Sequence, residues 1–373
     1  MMTVMKKKVI TLFFSLLLSI SFCCGEKSLE ILSSEEIAKM QYETEEMIDN
    51  MEDGLQDKLS DALNHAYDGH LEELQFFRNK NINVDFHDLC ENNKNVEIED
   101  YSINVNNKNI NLRLFKNSTF LQTSNPLLVY FHGGGLTFGS KDYGKNFCIA
   151  LASNGNINVL SVDFSLFPEN NIQQICEECV EAVKFAFENS DKLCCEKNLI
   201  SLAGEGAGAF LALETLNNLS LFKEEKNKSS ESDFYNVKSL ILYYPLLYSK
   251  NYKTDSWRKY GRGYGFDSRV GEIFYNALFS TEKSSLVSEE TDDEIKRGED
   301  KNVTKILPPI LLISAERDIV FDAAVKFNNE IKESRVEIDF ITFKDAIHGF
   351  ISYGNQKTAF CKAVALTEDF LKK

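Results

Sequence analysis

Two glycine-rich stretches of the sequence combine residues that could take part in acyl chemistry. In the first, His132 is followed by Gly133, Gly134 and Gly135, directly after the apolar run LLVYF. Glycines at the end of a buried strand let the backbone come close to a ligand and turn its N–H groups inward, where they can stabilise an oxyanion. The second stretch is GEGAG at residues 204–208, between the apolar run LISLA and a helix-like segment. Its centre is a glycine at the position where a nucleophile is expected.

Five motifs, in chain order, resemble the hormone-sensitive-lipase branch of the α/β-hydrolase fold. They are FHGGG, SVDFSLFPEN, YYPLL, PPILLISAERDIVFD and FKDAIHGF. One departure is Ser165, which stands where this branch usually has an arginine. The resemblance covers nearly everything from residue 96 to residue 373. It implies an α/β fold with a mostly parallel eight-stranded sheet, helices on both faces and a helical cap.

The resemblance also implies two catalytic positions. Asp318 follows the strand-like run ILLISA, and His348 lies after the run EIDFITF, in the order nucleophile, acid, histidine that this fold uses. In an active relative the aspartate fixes the imidazole tautomer, and the histidine takes the proton of the nucleophile. Asp322 is the nearest competitor for the acid. His65, His70 and His87 are predicted to be surface or packing residues.

The nucleophile elbow departs from the family motif at its central residue. The family has Gly-Asp/Glu-Ser-Ala-Gly, and this chain has Gly204, Glu205, Gly206, Ala207 and Gly208. Gly206 offers no hydroxyl, thiol or carboxylate, so no acyl-enzyme can form there. The side chain of Glu205 is expected to point away from the site.

No other residue is predicted to replace the missing serine. Ser201 lies five residues upstream on a strand, roughly 16 Å from the elbow at about 3.3 Å per residue. The predicted oxyanion-hole donors are the N–H groups of Gly133, Gly134 and Ala207. Water polarised by His348 is the remaining route to hydrolysis.

The net charge limits the classes of partner, and the first 25 residues indicate the location of the protein. The net charge of −16 disfavours nucleic acid and anionic membranes, since both need a positive patch on the protein. Lys6, Lys7 and Lys8 precede an apolar run at 9–22, which is typical of a signal peptide and too short for a stable membrane anchor. Residues 1–25 are therefore predicted to be a signal peptide of a secreted protein. Four Asn-x-Ser/Thr triplets fit that route, at Asn117, Asn218, Asn227 and Asn302.

The cysteines predict no metal site. Cleavage after residue 25 would leave seven of the nine, an odd number. Cys176 and Cys179 form a CxxC motif, but they sit in a run with helical periodicity, where such a bridge is geometrically poor. Adjacent Cys194 and Cys195 fit tetrahedral ligation badly. No cofactor and no metal are predicted.

Periodicity predicts the layout of the domains. Six short apolar runs from residue 127 onward alternate with helix-like segments, as parallel strands do. Two alternating runs before them complete eight strands. Residues 26–95 are predicted to be an N-terminal helical cap segment, and 96–373 a hydrolase domain with a second, aromatic-rich cap insertion around 248–305. The charged stretches 222–236 and 280–302 are predicted to be surface excursions.

Three functions stay open at this stage. The first is a pseudoenzyme that binds a small acyl-ester-like or apolar ligand, or a protein, without turnover. The second is a weakly active carboxylic-ester hydrolase that uses water activated by His348 and Asp318. The third is a structural or interaction protein whose pocket is vestigial.

Overall fold

A computed structural model describes most of the chain. The described residues are 32–51, 54–79, 95–119, 125–155, 157–226, 235–247, 253–279, 307–352 and 356–373. Within them, residues 34–373 form one compact unit. The predicted signal peptide, His87, Asn227, Asn302 and the charged stretch 280–302 lie outside the described residues.

The eight predicted strands and the mostly parallel sheet are confirmed. The strand order is β1-β2-β4-β3-β5-β6-β7-β8; β1 pairs with β2, and β2 with β4, in antiparallel fashion, and the other neighbours are parallel. The strands are β1 (Val96–Val105), β2 (Lys108–Asn117), β3 (Asn125–Phe131), β4 (Asn158–Asp163), β5 (Cys195–Glu205), β6 (Leu240–Tyr243), β7 (Ile310–Arg317) and β8 (Ile338–Ile347).

Ten helices accompany the sheet in the part of the chain that the structure describes. They are α1 (Ser34–Asp49), α2 (Leu55–Tyr67), α3 (Glu72–Asn79), α4 (Lys145–Gly155), α5 (Ile172–Glu188), α6 (Ala207–Lys226), α7 (Asp255–Lys259), α8 (Ser268–Phe279), α9 (Phe321–Glu333) and α10 (Lys357–Leu371). Helix α4 packs on β2 and β4, α6 on β3, β5 and β6, and α9 on β7 and β8.

The burial of the strand residues follows from the packing of these helices on the sheet. The central strand β6 is buried at every residue, and from Leu127 onward β3 is too, as expected where side chains on both faces meet packed layers. Edge strand β1 instead alternates between exposed and half-buried residues. The apolar runs of the sequence therefore correspond to the centre of the sheet.

Two sequence-based expectations need correction. Helix α6 continues to Lys226, so residues 222–226 are helical and the predicted surface excursion does not begin at residue 222. Four of the five residues at 222–226 are Lys or Glu, which are good helix formers. Asn117 is only 5% exposed and donates its side-chain amide to the Ser153 carbonyl at 3.2 Å, which leaves no room for a glycan.

Helix α1 is attached to the end of β8 and to the start of α10. The Thr44 hydroxyl donates to the Asp345 carbonyl at 2.6 Å. The Glu43 carboxylate accepts the Thr358 backbone N–H at 3.0 Å and so serves the first turn of α10. Helix α2 packs against α8. The assignment of these helices to a cap stays a prediction.

The sequence makes predictions about the helical position of Cys176 and Cys179 and about membrane-spanning segments. Cys176 and Cys179 lie on α5, as the periodicity predicts, and burial raises the pKa of both thiols. No disulfide joins cysteines among the described residues. Over the same residues, no helix has the length and apolarity that crossing a bilayer requires.

Candidate functional site

The elbow keeps the backbone of a nucleophile turn although its side chain is absent. Gly206 stands between the end of β5 and the start of α6 with φ +53°, a left-handed conformation that glycine adopts at low cost. Its N–H donates to the Tyr243 carbonyl at 3.0 Å, and its carbonyl accepts the Leu246 N–H at 2.9 Å. These bonds hold the turn sharply bent.

Close packing of helix α6 on the sheet requires the outer glycines of the motif. A Cβ added to Gly208 would lie 2.1 Å from the Phe131 carbonyl oxygen, and one added to Gly204 would lie 2.2 Å from the Gly208 oxygen. Neither backbone group can move aside. The start of α6 therefore sits directly against the ends of β3 and β5.

His348 and Asp318 are brought together as the resemblance implies. The His348 Nδ1 lies 2.7 Å from the Asp318 Oδ2, and Asp318 is 2% exposed. The carboxylate favours a proton on Nδ1, so the neutral imidazole presents Nε2 as an acceptor. Asp322 is engaged elsewhere, because its carboxylate accepts the Ser256 N–H at 2.8 Å.

The free face of His348 is turned toward the elbow. A Cβ built on Gly206 would lie 3.4 Å from the His348 Nε2 and 3.8 Å from its Cε1. Both distances are ordinary van der Waals contacts. A hydroxyl oxygen bonded to this Cβ would be the further atom needed for a hydrogen bond to Nε2. The space beside Gly206, where the family motif has a serine side chain, is thus open and faces the Nε2 of His348.

The glycine turn after β3 lies against the elbow. A Cβ on Gly133 would meet the Glu205 Cγ at 3.1 Å. The Gly134 carbonyl closes the turn by accepting the Thr137 and Phe138 N–H groups at 3.0 and 2.9 Å. In the described structure, the backbone hydrogen bonds outside helices and strands use none of the three predicted oxyanion-hole donors, the N–H groups of Gly133, Gly134 and Ala207.

His132 supports the turn from behind. Its Nδ1 donates to the Gly133 carbonyl at 2.8 Å, and its ring stacks on Phe164 with centroids 4.1 Å apart. Complete burial lowers the pKa of His132 to about 4, so the ring is neutral at pH 7. A buried neutral ring beside the turn has a structural role.

Glu205 is hydrogen-bonded to three hydroxyl groups beneath the site. Its carboxylate accepts Tyr130, Tyr244 and Ser352 hydroxyls, each at 2.5 Å, and the residue is 1% exposed. Burial and the adjacent carboxylate raise the pKa of Tyr130 well above its usual value, so the phenol stays a donor. The carboxylate thereby links β3, the segment after β6 and the loop that follows His348.

Lys108 lies beside Ser165, the position at which the chain departs from the family's usual arginine. Glu178 is 4% exposed and accepts the backbone N–H of Ser165 at 2.7 Å. The Lys108 ammonium, from the start of β2, contacts the Ser165 hydroxyl and lies 3.8 Å from the Glu178 carboxylate. The departure at Ser165 thus leaves the buried carboxylate with a cation nearby.

Aromatic side chains from the second predicted cap segment cover the site. The Phe266 and His348 ring centroids are 4.4 Å apart, and the Phe266 and Phe274 centroids are 6.1 Å apart. Phe274 touches the glycine turn so closely that a Cβ on Gly135 would fall 2.2 Å from its ring. The walls above the polar groups are therefore apolar.

The other histidines lie away from these groups. His65 pairs with Glu73 at 3.0 Å on exposed surface, and His70 is exposed. Ser201 is buried within β5 and shares a hydrogen bond with Ser239 at 2.8 Å. None of the three is placed to replace a serine at position 206.

Arg78 is a contributor that sequence reasoning missed. It ends helix α3, and its guanidinium donates to the Thr137 carbonyl at 2.9 Å, the Phe167 carbonyl at 2.6 Å and the Glu169 carboxylate at 2.6 Å. The side chain is 13% exposed. One cation therefore joins the N-terminal helices to the glycine turn and to the FPE segment.

We expect Arg78→Met to lower the free energy of unfolding by about 2 kcal/mol, because three acceptors lose a charged donor. Arg258 is the matched control: it pairs with Asp255 within one helix turn, and its side chain is 66% exposed. Arg258→Met should cost about 0.5 kcal/mol or less. Urea unfolding followed by tryptophan fluorescence measures both, and equal losses would contradict the role given to Arg78.

Sequence comparison identifies the family of the chain. Residues 128–352 match the family model described as the alpha/beta hydrolase fold. Lipase 2 of Moraxella sp. (strain TA144) is 26% identical over 268 residues, which are 65% of this chain and 60% of the lipase. The acetyl esterase of Salmonella schwarzengrund is 25% identical over 250 residues, 63% of this chain and 68% of that esterase.

Solved esterase structures share the fold. An esterase from Rhizomucor miehei superposes with a TM-score of 0.66 at 19% identity, covering 80% of this chain and 91% of its own. The esterase of Pyrobaculum calidifontis gives 0.64 at 23% identity, covering 80% and 92%. Among the sequence relatives, the chain spans only 60% of the lipase and 58% of a probable carboxylesterase of Arabidopsis thaliana.

Proposed function

The chain belongs to the α/β-hydrolase family, and from that premise we propose that it binds a small acyl compound at the family's site without forming an acyl-enzyme. The observation that carries the proposal is Gly206, whose missing side chain leaves only open space beside the Nε2 of His348. Acyl transfer through a serine hydroxyl needs an oxygen there, and the position offers none. Binding through backbone donors and the apolar contacts of Phe266 and Phe274 needs no nucleophile.

The groups that surround the space suit a carbonyl compound. Backbone N–H groups of the glycine turn and of Ala207 supply donors for a carbonyl oxygen. Phe266 and Phe274 supply apolar contact area for a short acyl chain. A pocket with apolar walls and a few convergent polar groups is the usual form of a small-molecule site.

Weak hydrolysis by water is the second candidate, favoured by the intact pair of His348 and Asp318. Water held near Gly206 would give its proton to Nε2 and attack a carbonyl held by the turn. Serine removal in a well-studied protease costs about 10⁶ in kcat, and the remaining site still exceeds water by about 10³ to 10⁴. Turnover by this route is expected to be close to background.

We expect a fluorophosphonate probe to leave the wild-type protein unlabelled, because the probe needs a nucleophilic serine. Intact-protein mass spectrometry after incubation measures the labelled fraction, with an active serine esterase treated in parallel as the positive control. Stoichiometric labelling that maps to any serine would overturn the proposed loss of the nucleophile.

A secreted location is part of the proposal. Its support is the lysine cluster and the apolar run within residues 1–25. Asn117 contributes nothing to that support, because its side chain is buried. Detection of the protein in the medium of expressing cells, with residues 1–25 removed, is the direct test.

A further inference from the structure

We propose that the site prefers a carboxylic acid to an ester, with the second acid oxygen seated where the serine side chain is missing. This rests on the proposed function and names its ligand class. Gly206 matters here because it leaves space for the ligand. Without a serine side chain, one ligand oxygen has room between the elbow and the His348 imidazole.

The first acid oxygen has its donors in the backbone. The N–H groups of Gly133, Gly134 and Ala207 serve no other described backbone partner outside helices and strands. Those of Gly133 and Ala207 flank the elbow, and Ala207 begins the 20-residue helix α6. The N-terminal end of a helix favours a negatively charged oxygen.

The second acid oxygen is met by His348. The residue is 8% exposed, its Nδ1 is held by Asp318 at 2.7 Å, and its Nε2 is 3.4 Å from the Cβ position of Gly206. A carboxylate that takes up one proton from solution can hold it between its second oxygen and Nε2, which in the neutral ring is an acceptor. An ester cannot, because its alkoxy oxygen carries neither charge nor proton.

Three neighbouring side chains set further limits on the ligand. The Glu205 carboxylate lies behind Gly133, and its charge is spread over three hydroxyl donors, so the bound acid is not left facing a bare carboxylate. Phe266 covers His348 and Phe274 covers Gly135. These rings favour a short unbranched acyl chain over a bulky one.

The test compares two probes of one shape on the wild-type protein. Butyrate and 2-pentanone share the propyl chain and the carbonyl, and the ketone has a methyl group in place of the second oxygen. Calorimetric titration at pH 7 should give butyrate at least about tenfold tighter binding, since a charge-assisted hydrogen bond contributes more than the roughly 1.4 kcal/mol that a tenfold change represents. Methyl butyrate should bind as weakly as the ketone.

Two independent measurements show where butyrate binds on the protein. The ¹⁵N resonances of the His348 ring, one of only five histidines, should move with butyrate and not with 2-pentanone. Gly206→Ala should weaken butyrate at least about tenfold, because its methyl group fills the space assigned to the second oxygen.

The outcomes separate the two proposals. If neither probe nor methyl butyrate binds, the proposed binding function fails and the acid preference fails with it. If the ketone or the ester binds as tightly as butyrate and moves the His348 resonances, the binding function stands and the acid preference is overturned. If butyrate binds without affecting His348, or binds Gly206→Ala equally well, the acid lies elsewhere and the preference is again overturned.

Discussion

Gly206→Ser is expected to hydrolyse short-chain nitrophenyl esters about 10³-fold faster than the wild-type protein, or more. The Cβ fits at 3.4 Å from the His348 Nε2, so a hydroxyl on it falls within hydrogen-bonding reach of the base. Asp318 already holds the other ring nitrogen. A serine in a complete triad contributes about 10⁶ in kcat in a well-studied protease. The gain expected here is smaller, because Phe266 covers His348.

The control for this gain is Gly206→Ala. It places the same Cβ at the same left-handed residue and adds no hydroxyl, so its rate should stay at the wild-type level. Adding Asp318→Asn to the serine variant should remove most of the gain, because the imidazole then adopts the wrong tautomer. A folded Gly206→Ser protein that is no faster than Gly206→Ala would show that the His348 and Asp318 pair is not productive.

Glu205→Ala is expected to lower the free energy of unfolding by about 3 to 5 kcal/mol. Truncation leaves three buried hydroxyl donors, on Tyr130, Tyr244 and Ser352, without their acceptor. Each unsatisfied buried group costs about 1 to 3 kcal/mol, and the emptied volume adds a cavity cost. Urea unfolding monitored by circular dichroism measures the change.

The matched variant for Glu205→Ala is Tyr130→Phe. It deletes a single donor and keeps the ring, so it should cost about 1 kcal/mol. Glu205→Gln keeps one acceptor oxygen and should fall between the two. If Glu205→Ala costs no more than Tyr130→Phe, the carboxylate does not hold β3, the segment after β6 and the loop after His348 together.

Much of the fold and of the site followed from the sequence, for local reasons. The strand runs are short, mostly apolar and separated by helix-like segments, so their number and their mostly parallel direction could be predicted. The glycine turn and the elbow are contiguous motifs that can be recognised in the sequence alone, although hydrogen bonds to Tyr243 and Leu246 also hold the elbow. His348 and Asp318 were implied by the order of the motifs in a known family.

What the sequence did not reveal depends on contacts between distant segments. Arg78 lies in a helix with no motif, and its partners are 59 and 89 residues further along. Ser352 reaches Glu205 across 147 residues. Lys108, on β2, contacts Ser165, which follows β4 and lies 57 residues further along the chain. A single sequence carries no local signal for such pairs, since pairing depends on how the elements pack.

The left-handed backbone at Gly206 gives the protein a trade-off between stability and activity. A side chain at φ +53° costs about 1 to 2 kcal/mol, a cost that an active relative carries for its nucleophile and that glycine avoids. The serine-free elbow is therefore the relaxed form of this turn. Any variant that regains catalysis there should melt at a lower temperature than the protein it came from.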